Sequence, residues 1–128
     1  MNENFGKTYY VAVSSKGGKR IFACDYHGDV ILTRAGKAIR ASWFDIPYYC
    51  RDFAYVELGN FSLGPDRIEG VLTIFPKMQE DRKRTKKVLE KIMKRFFLIW
   101  AKKVRTFSIS SQIPILNEKW YSKPLQQP

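Results

Sequence analysis

Apolar and polar residues alternate along TYYVAVSS (8–15), which is rich in aromatic and β-branched side chains and predicts a strand. Residues 1–7 read as a loose start, and KGG (16–18) as a turn. KRIFAC (19–24) and DVILT (29–33) flank DYHG (25–28) and predict a small hairpin. Thr33 is placed to cap a helix running to Phe44, with Ile39, Trp43 and Phe44 inward and Pro47 ending it. FAYVELGNFSL (53–63) predicts a second long strand. IEGVLTIF (68–75) predicts a third, whose nearly continuous apolar run suits a central position. LGPD (63–66) is a tight turn, so these two strands pair antiparallel.

The clearest pattern lies in DRKRTKKVLEKIMKRFFLIWAKKVR (81–105). Leu89, Ile92, Met93, Phe96, Phe97, Trp100 and Val104 recur at three- and four-residue spacing and make one apolar face of a helix. Arg84, Lys87, Lys91, Lys94, Lys102 and Arg105 fall on the other side. The segment from 107 to the end supplies a short final strand before a polar tail. The order is strand, small hairpin, helix, strand, strand, helix, strand. This predicts an α+β fold of the ferredoxin-like split βαβ type, an antiparallel sheet with helices packed on one face. At 128 residues the chain is read as a single domain, 1–128, long enough to bury a core.

Charge changes the picture. The net charge is +11, and the segment 82–105 carries nearly all of it. Its bases are Arg82, Lys83, Arg84, Lys86, Lys87, Lys91, Lys94, Arg95, Lys102, Lys103 and Arg105, against Glu90 alone. Like charges one turn apart disfavour a helix slightly, so the concentration asks for a reason. A polyanion-binding face is one; a solvated face or a partner-protein surface is the other. An anionic membrane would need the apolar face exposed, and in a chain this small that face belongs to the core. No apolar run of membrane-spanning length occurs, and no secretory leader is read at the start, so no membrane partner is expected. Cys24 and Cys50 are far apart and lack a CxxC spacing. They read as reduced thiols, and the address as cytoplasmic. His27 is the single histidine, which excludes any site built on two imidazoles.

One stretch reads oddly for a strand: in GPDRIEGVLTI (64–74), Arg67 and Glu69 bracket Ile68 where the buried run begins. The surrounding segments resemble the REP-associated tyrosine transposases, within the IS200-like, single-tyrosine HUH family. That family opens with a Y-H-[IV]-T strand, then a basic turn with hxFG, a DG-x-x-x-L hairpin, and G-x-I on the first helix. The corresponding residues are Tyr9-Tyr10-Val11-Ala12, Lys19-Arg20-Ile21-Phe22, Gly28-Asp29-Val30-Ile31-Leu32 and Gly36-Lys37-Ala38-Ile39. NFSLGPDRIEGVLTI (60–74) resembles the family's passage into its PNHIHG motif, with Pro65 and Gly70 at the motif's proline and glycine. The similarity spans roughly residues 8–105.

The resemblance implies a fold that handles single-stranded or hairpin DNA, with two histidines holding a divalent metal at the scissile phosphate. Those histidines fall at Arg67 and Glu69. Arginine has no lone pair for a metal, so no metal site and no cofactor are expected. Under an alternative active reading, Glu69 would contact Mg²⁺ or Mn²⁺; Asp66, a second oxygen, points into the turn. The family's nucleophilic tyrosine lies near W-Q-x-x-Y. Here the match is Trp120-Tyr121-Ser122-Lys123-Pro124, with proline at the tyrosine position and Tyr121 as a shifted candidate. No activating base is evident for it. Three readings follow. The first is a catalytically inactive relative that binds single-stranded or hairpin DNA, or RNA, through the bases of 82–105. The second is a metal-dependent nickase with a rearranged site. The third is a protein-interaction module, for which the resemblance suggests a homodimer paired through the sheet.

Overall fold

The computed structural model of the chain describes residues 6–15, 18–107 and 119–125. Its six strands are β1 (Lys7–Ser14), β2 (Ala23–Tyr26), β3 (Asp29–Leu32), β4 (Ala54–Leu63), β5 (Arg67–Pro76) and β6 (Lys119–Leu125). The helices are α1 (Arg34–Phe44), the short α2 (Ile46–Tyr49) and α3 (Thr85–Phe107), with a 3₁₀ turn at Gln79–Lys83. Four strands form one sheet in the order β4-β5-β1-β6, every neighbouring pair antiparallel. β1 and β4 are joined through α1 yet separated by β5; β5 and β6 are joined through α3 yet separated by β1. Two interleaved βαβ units of this kind make the ferredoxin-like α+β fold that the element order predicts.

Side chains alternate across β1 and β5, and this fixes the layers. Tyr9, Val11 and Val13 with Ile68, Leu72 and Ile74 face the helices and are buried. α3 covers them with Val88, Leu89, Ile92, Met93, Phe96, Trp100 and Val104, and α1 with Ala38, Ile39 and Trp43. In β4 one extra residue bulges out at Gly59–Asn60, between the Leu58↔Leu72 and Phe61↔Gly70 pairs. The bulge keeps Ala54, Val56 and Leu58 on the same face as Phe61 and Leu63, which a strict period of two would not.

Several expectations are corrected. The hairpin at 23–32 turns on two residues, His27 and Gly28, both at positive φ, and stands apart as its own sheet. Residues 19–22 are not strand. Thr33 does cap α1: its Oγ1 accepts from the Gly36 amide at 3.0 Å and donates to the Ile21 carbonyl at 2.5 Å. Pro47 does not end α1; Asp45 does, and Pro47 sits in the first turn of α2, where its missing N–H costs nothing. Phe44 is not inward but 51% exposed, at the rim against Phe61. Phe97 is only half-buried, while Val88, absent from the predicted stripe, is in the core. The long helix begins at Thr85, so Arg82, Lys83 and Arg84 lie in the 3₁₀ turn and at its end. Of the loose start at 1–7, Lys7 is already strand, and residues 1–5 lie outside the described residues; of the turn at 16–18 only Gly18 is among them, and the stretch 108–118 and the tail beyond 125 lie outside them. Among the described residues no helix is long and apolar enough to cross a membrane.

Candidate nucleic-acid interface

The residues singled out in the sequence fall on opposite sides of the sheet. Arg67 and Glu69 alternate with Ile68 and Gly70 along β5, so they project from the face that the helices leave uncovered. Their side chains pair with each other, Arg67 Nη2 to Glu69 Oε1 at 2.6 Å, both well exposed. An exposed pair of this kind adds at most about 1 kcal/mol, but it leaves Glu69 facing a guanidinium. Arg67 also donates to the Tyr10 hydroxyl at 3.1 Å. Asp66 sits in the β4–β5 turn, where its carbonyl accepts from the Ser15 amide at 2.8 Å.

β6 brings Tyr121 to the same face. Ala12 of β1 is opposite Glu69 on one side and opposite Tyr121 on the other. The carboxylate position and the candidate nucleophile thus share one cross-strand row, with a small residue between them. The Tyr121 ring meets Tyr10 edge to face, centroids 6.0 Å apart, and the Lys123 ammonium lies 6.0 Å from the Tyr10 ring centre. Tyr10 and Lys123 are members of this cluster that the sequence reading did not nominate. Their signal was strand parity, which becomes usable only once β1 and β6 are known to be neighbours. Among the described residues, no group of three or more His, Cys, Asp or Glu side chains is arranged to hold a metal ion.

The basic segment lies on the helical side, and the structure divides it. Arg95 is a fastener. It holds both carboxylate oxygens of Asp52, at 2.6 and 3.0 Å, donates to the Tyr49 carbonyl at 2.7 Å, and lies over the Phe53 ring. The two-pronged geometry suits a guanidinium and would not suit a lysine. Arg95 holds the Asp52 carboxyl below the usual carboxylate range, chiefly through their hydrogen bonds. Beneath this clamp, burial pushes the Cys50 thiol up to about 12 and raises the Tyr49 hydroxyl above its ordinary range. Tyr49 donates to the Ser42 carbonyl at 2.9 Å. Lys103 pairs with Asp45 at 3.4 Å. Lys91 rests over Phe53, 4.4 Å from the ring centre. Arg82 and Lys102 are engaged in contacts of their own.

That leaves Lys83, Arg84, Lys86, Lys87 and Lys94. All five are exposed, and none has an ion-pair or hydrogen-bonded side-chain partner among the described residues. Lys86 and Lys87 occupy the first turn of α3, which carries no acid. Lysine there works against the helix dipole, so local helix stability does not explain the choice. The Arg105 side chain lies outside the described residues. A comparison of the chain with protein-family models finds no match, and a comparison with curated proteins finds none either.

Proposed function

We propose that this protein binds nucleic acid on the scaffold of an IS200-like, REP-associated tyrosine transposase and lacks that family's strand-cleaving chemistry. The observation that carries the reading is the exposed run Lys83, Arg84, Lys86, Lys87 with Lys94, none of which is ion-paired among the described residues and among which Glu90 is the one acid. Exposed cations running from the 3₁₀ turn into the first turns of α3 suit the backbone of a polyanion, and phosphate contacts supply most of the affinity in such complexes. The reading of lost chemistry is supported by Arg67, which occupies the first histidine position of the resemblance and faces Glu69 across 2.6 Å. A guanidinium there offers a phosphate positive charge but offers a metal no lone pair. Two unpaired thiols, Cys24 and Cys50, support a cytoplasmic address.

The test combines binding and cleavage on the same samples. Labelled single-stranded and hairpin DNA are incubated with the protein at low and moderate salt, with Mn²⁺ or with EDTA, and run on native and denaturing gels. The expected result is a shift that weakens with salt, is indifferent to EDTA and leaves the strands intact. If all five cations hold phosphates, log K falls with log salt at a slope of roughly −3 to −4 on single strands. No shift at low salt overturns the nucleic-acid reading. A nicked or protein-linked strand that appears only with Mn²⁺ overturns the inactive site and restores Tyr121 as a nucleophile.

A further inference from the structure

We infer that a cleft at the β4 edge of the sheet receives an unpaired base against Tyr55, so that this residue carries the discrimination between single strand and duplex. This rests on the proposed nucleic-acid reading and names the part of the polymer that is recognised. The cleft has a volume of about 610 Å³ and is lined by Pro47, Tyr55, Glu57, Phe75, Lys77 and Arg82, among others. That volume lies within the roughly 300–1,000 Å³ of small-molecule sites.

Its position follows from the fold. Tyr55 and Phe75 are directly paired across β4 and β5. Both project from the face opposite Val56 and Ile74, which are in the core. Packing cannot account for Tyr55, which is 63% exposed on an edge strand. The Lys77 ammonium lies 4.5 Å from its ring centre, so an aromatic surface and a cation are already held together. Arg82 lines the cleft from the 3₁₀ turn, and the bases Lys83, Arg84, Lys86 and Lys87 follow it along the chain. Through Arg82 the cleft therefore adjoins the start of the exposed cations.

This arrangement suits a nucleotide chain better than an apolar ligand. A base has a π-face for Tyr55 whatever its identity, and its phosphate lies within the field of Lys77 and Arg82. Neighbouring phosphates can then follow the cations into the first turn of α3. Glu57 is the acid in the wall, outnumbered there by two bases. A paired base has its faces covered by its neighbours in the stack and cannot enter without being flipped out, which costs a few kcal/mol. Discrimination against duplex follows from that cost, and sequence preference is weak because stacking is tolerant.

The test measures affinity by fluorescence anisotropy for a labelled, non-self-complementary strand and for a blunt duplex of the same length. The proteins are wild type, Tyr55→Ala, Tyr55→Leu, Tyr55→Phe and, as a control at an exposed tyrosine elsewhere, Tyr26→Ala. Tyr55→Leu keeps an apolar residue on the strand without a π-face, so a folded variant is available even if alanine is poorly tolerated. Wild type is expected to favour the single strand. Tyr55→Ala and Tyr55→Leu are expected to lose roughly 5- to 150-fold in single-strand affinity with duplex affinity unchanged, while Tyr55→Phe and Tyr26→Ala keep the preference. If wild type binds both forms alike, or Tyr55→Leu retains the preference, the cleft does not hold a base and the cationic face alone accounts for binding. If wild type binds neither form, the nucleic-acid reading itself fails, and this inference with it.

Discussion

The two ends of the basic stretch use the same residue types for different ends. From Lys83 to Lys94 no cation is ion-paired among the described residues, and the one acid within that stretch, Glu90, is itself exposed on α3. From Arg95 onward, Arg95 and Lys103 are tied to Asp52 and Asp45. Those acids lie in the connection that runs from α1 through α2 to β4, so the pairs fasten α3 to the rest of the helical layer. Within the sequence the stretch is one block of positive charge. In the fold it is an anchoring half and a half that, Lys91 over Phe53 aside, has no side-chain partner among the described residues, because the carboxylate partners come from residues more than forty positions away. Segment charge therefore overstates the surface available to a polyanion, and the bases worth mutating are those that distant carboxylates leave alone.

The largest effect expected from this division is on binding. Replacing Lys83, Arg84, Lys86 and Lys87 together by alanine should lower affinity for a single strand on the order of 100-fold at low salt. The melting temperature should hold or rise slightly, since repulsion along the helix is relieved. Anisotropy titration and a thermal melt on the same preparation check both halves. Arg95→Ala should give the opposite pattern: a melting temperature lower by a few degrees, with affinity changed by less than about threefold. The comparison breaks if Arg95→Ala weakens binding as much as the fourfold variant while remaining folded.

A subtler distinction is available through pH. Arg95 holds Asp52 below the usual carboxylate range, so the folded state binds its proton less readily than the unfolded state. The stability this contributes is present above the ordinary carboxylate pKa and lost as pH falls through the lower folded value. The difference in melting temperature between wild type and Asp52→Asn should be constant from neutrality to about pH 5 and shrink below about pH 4. Lysine charge is constant over that interval, so affinity per folded molecule should not follow the same curve. A difference that stays constant to the acid limit would remove the anchor role of the Arg95–Asp52 pair.

Much of this architecture is legible in the sequence, and where it is not, the missing information is tertiary. The apolar stripe of α3 and the nearly continuous apolar run of β5 identify their elements because each buries a whole face. The start of α3 is different. Thr85 is buried, and its hydroxyl bonds the Tyr9 hydroxyl at 2.7 Å, a contact across 76 positions that local spacing does not reveal. The glycines that support the resemblance also have packing reasons. A Cβ at Gly70 would stand 2.3 Å from the Trp43 ring, and one at Gly36 would stand 1.8 Å from the Phe22 carbonyl oxygen. Any chain that lays these groups so close needs glycine at both positions, so they speak for the packing before they speak for ancestry. The Gly59–Asn60 bulge was readable in principle, because the apolar period of β4 slips by one there. The cleft beside Tyr55 was not, since its walls come from α2, β4, β5 and the 3₁₀ turn.

The smallest effect belongs to the uncovered sheet face, and it separates the two roles open to Arg67. Glu69→Gln removes a carboxylate from an exposed pair, so stability should change by less than about 1 kcal/mol. If Arg67 and Glu69 only satisfy each other at a strand end, affinity for nucleic acid should be unchanged within twofold. If Arg67 lends its charge to a phosphate, the variant should bind a single strand modestly more tightly, because Glu69 no longer competes for the guanidinium. Arg67→Gln then reverses the gain. A rise of about twofold to fivefold that disappears in the double variant and flattens with salt would extend the interface across to the sheet. An unchanged affinity would leave binding to the helical side and to the β4 edge, where Tyr55 lies with Lys77 and Arg82.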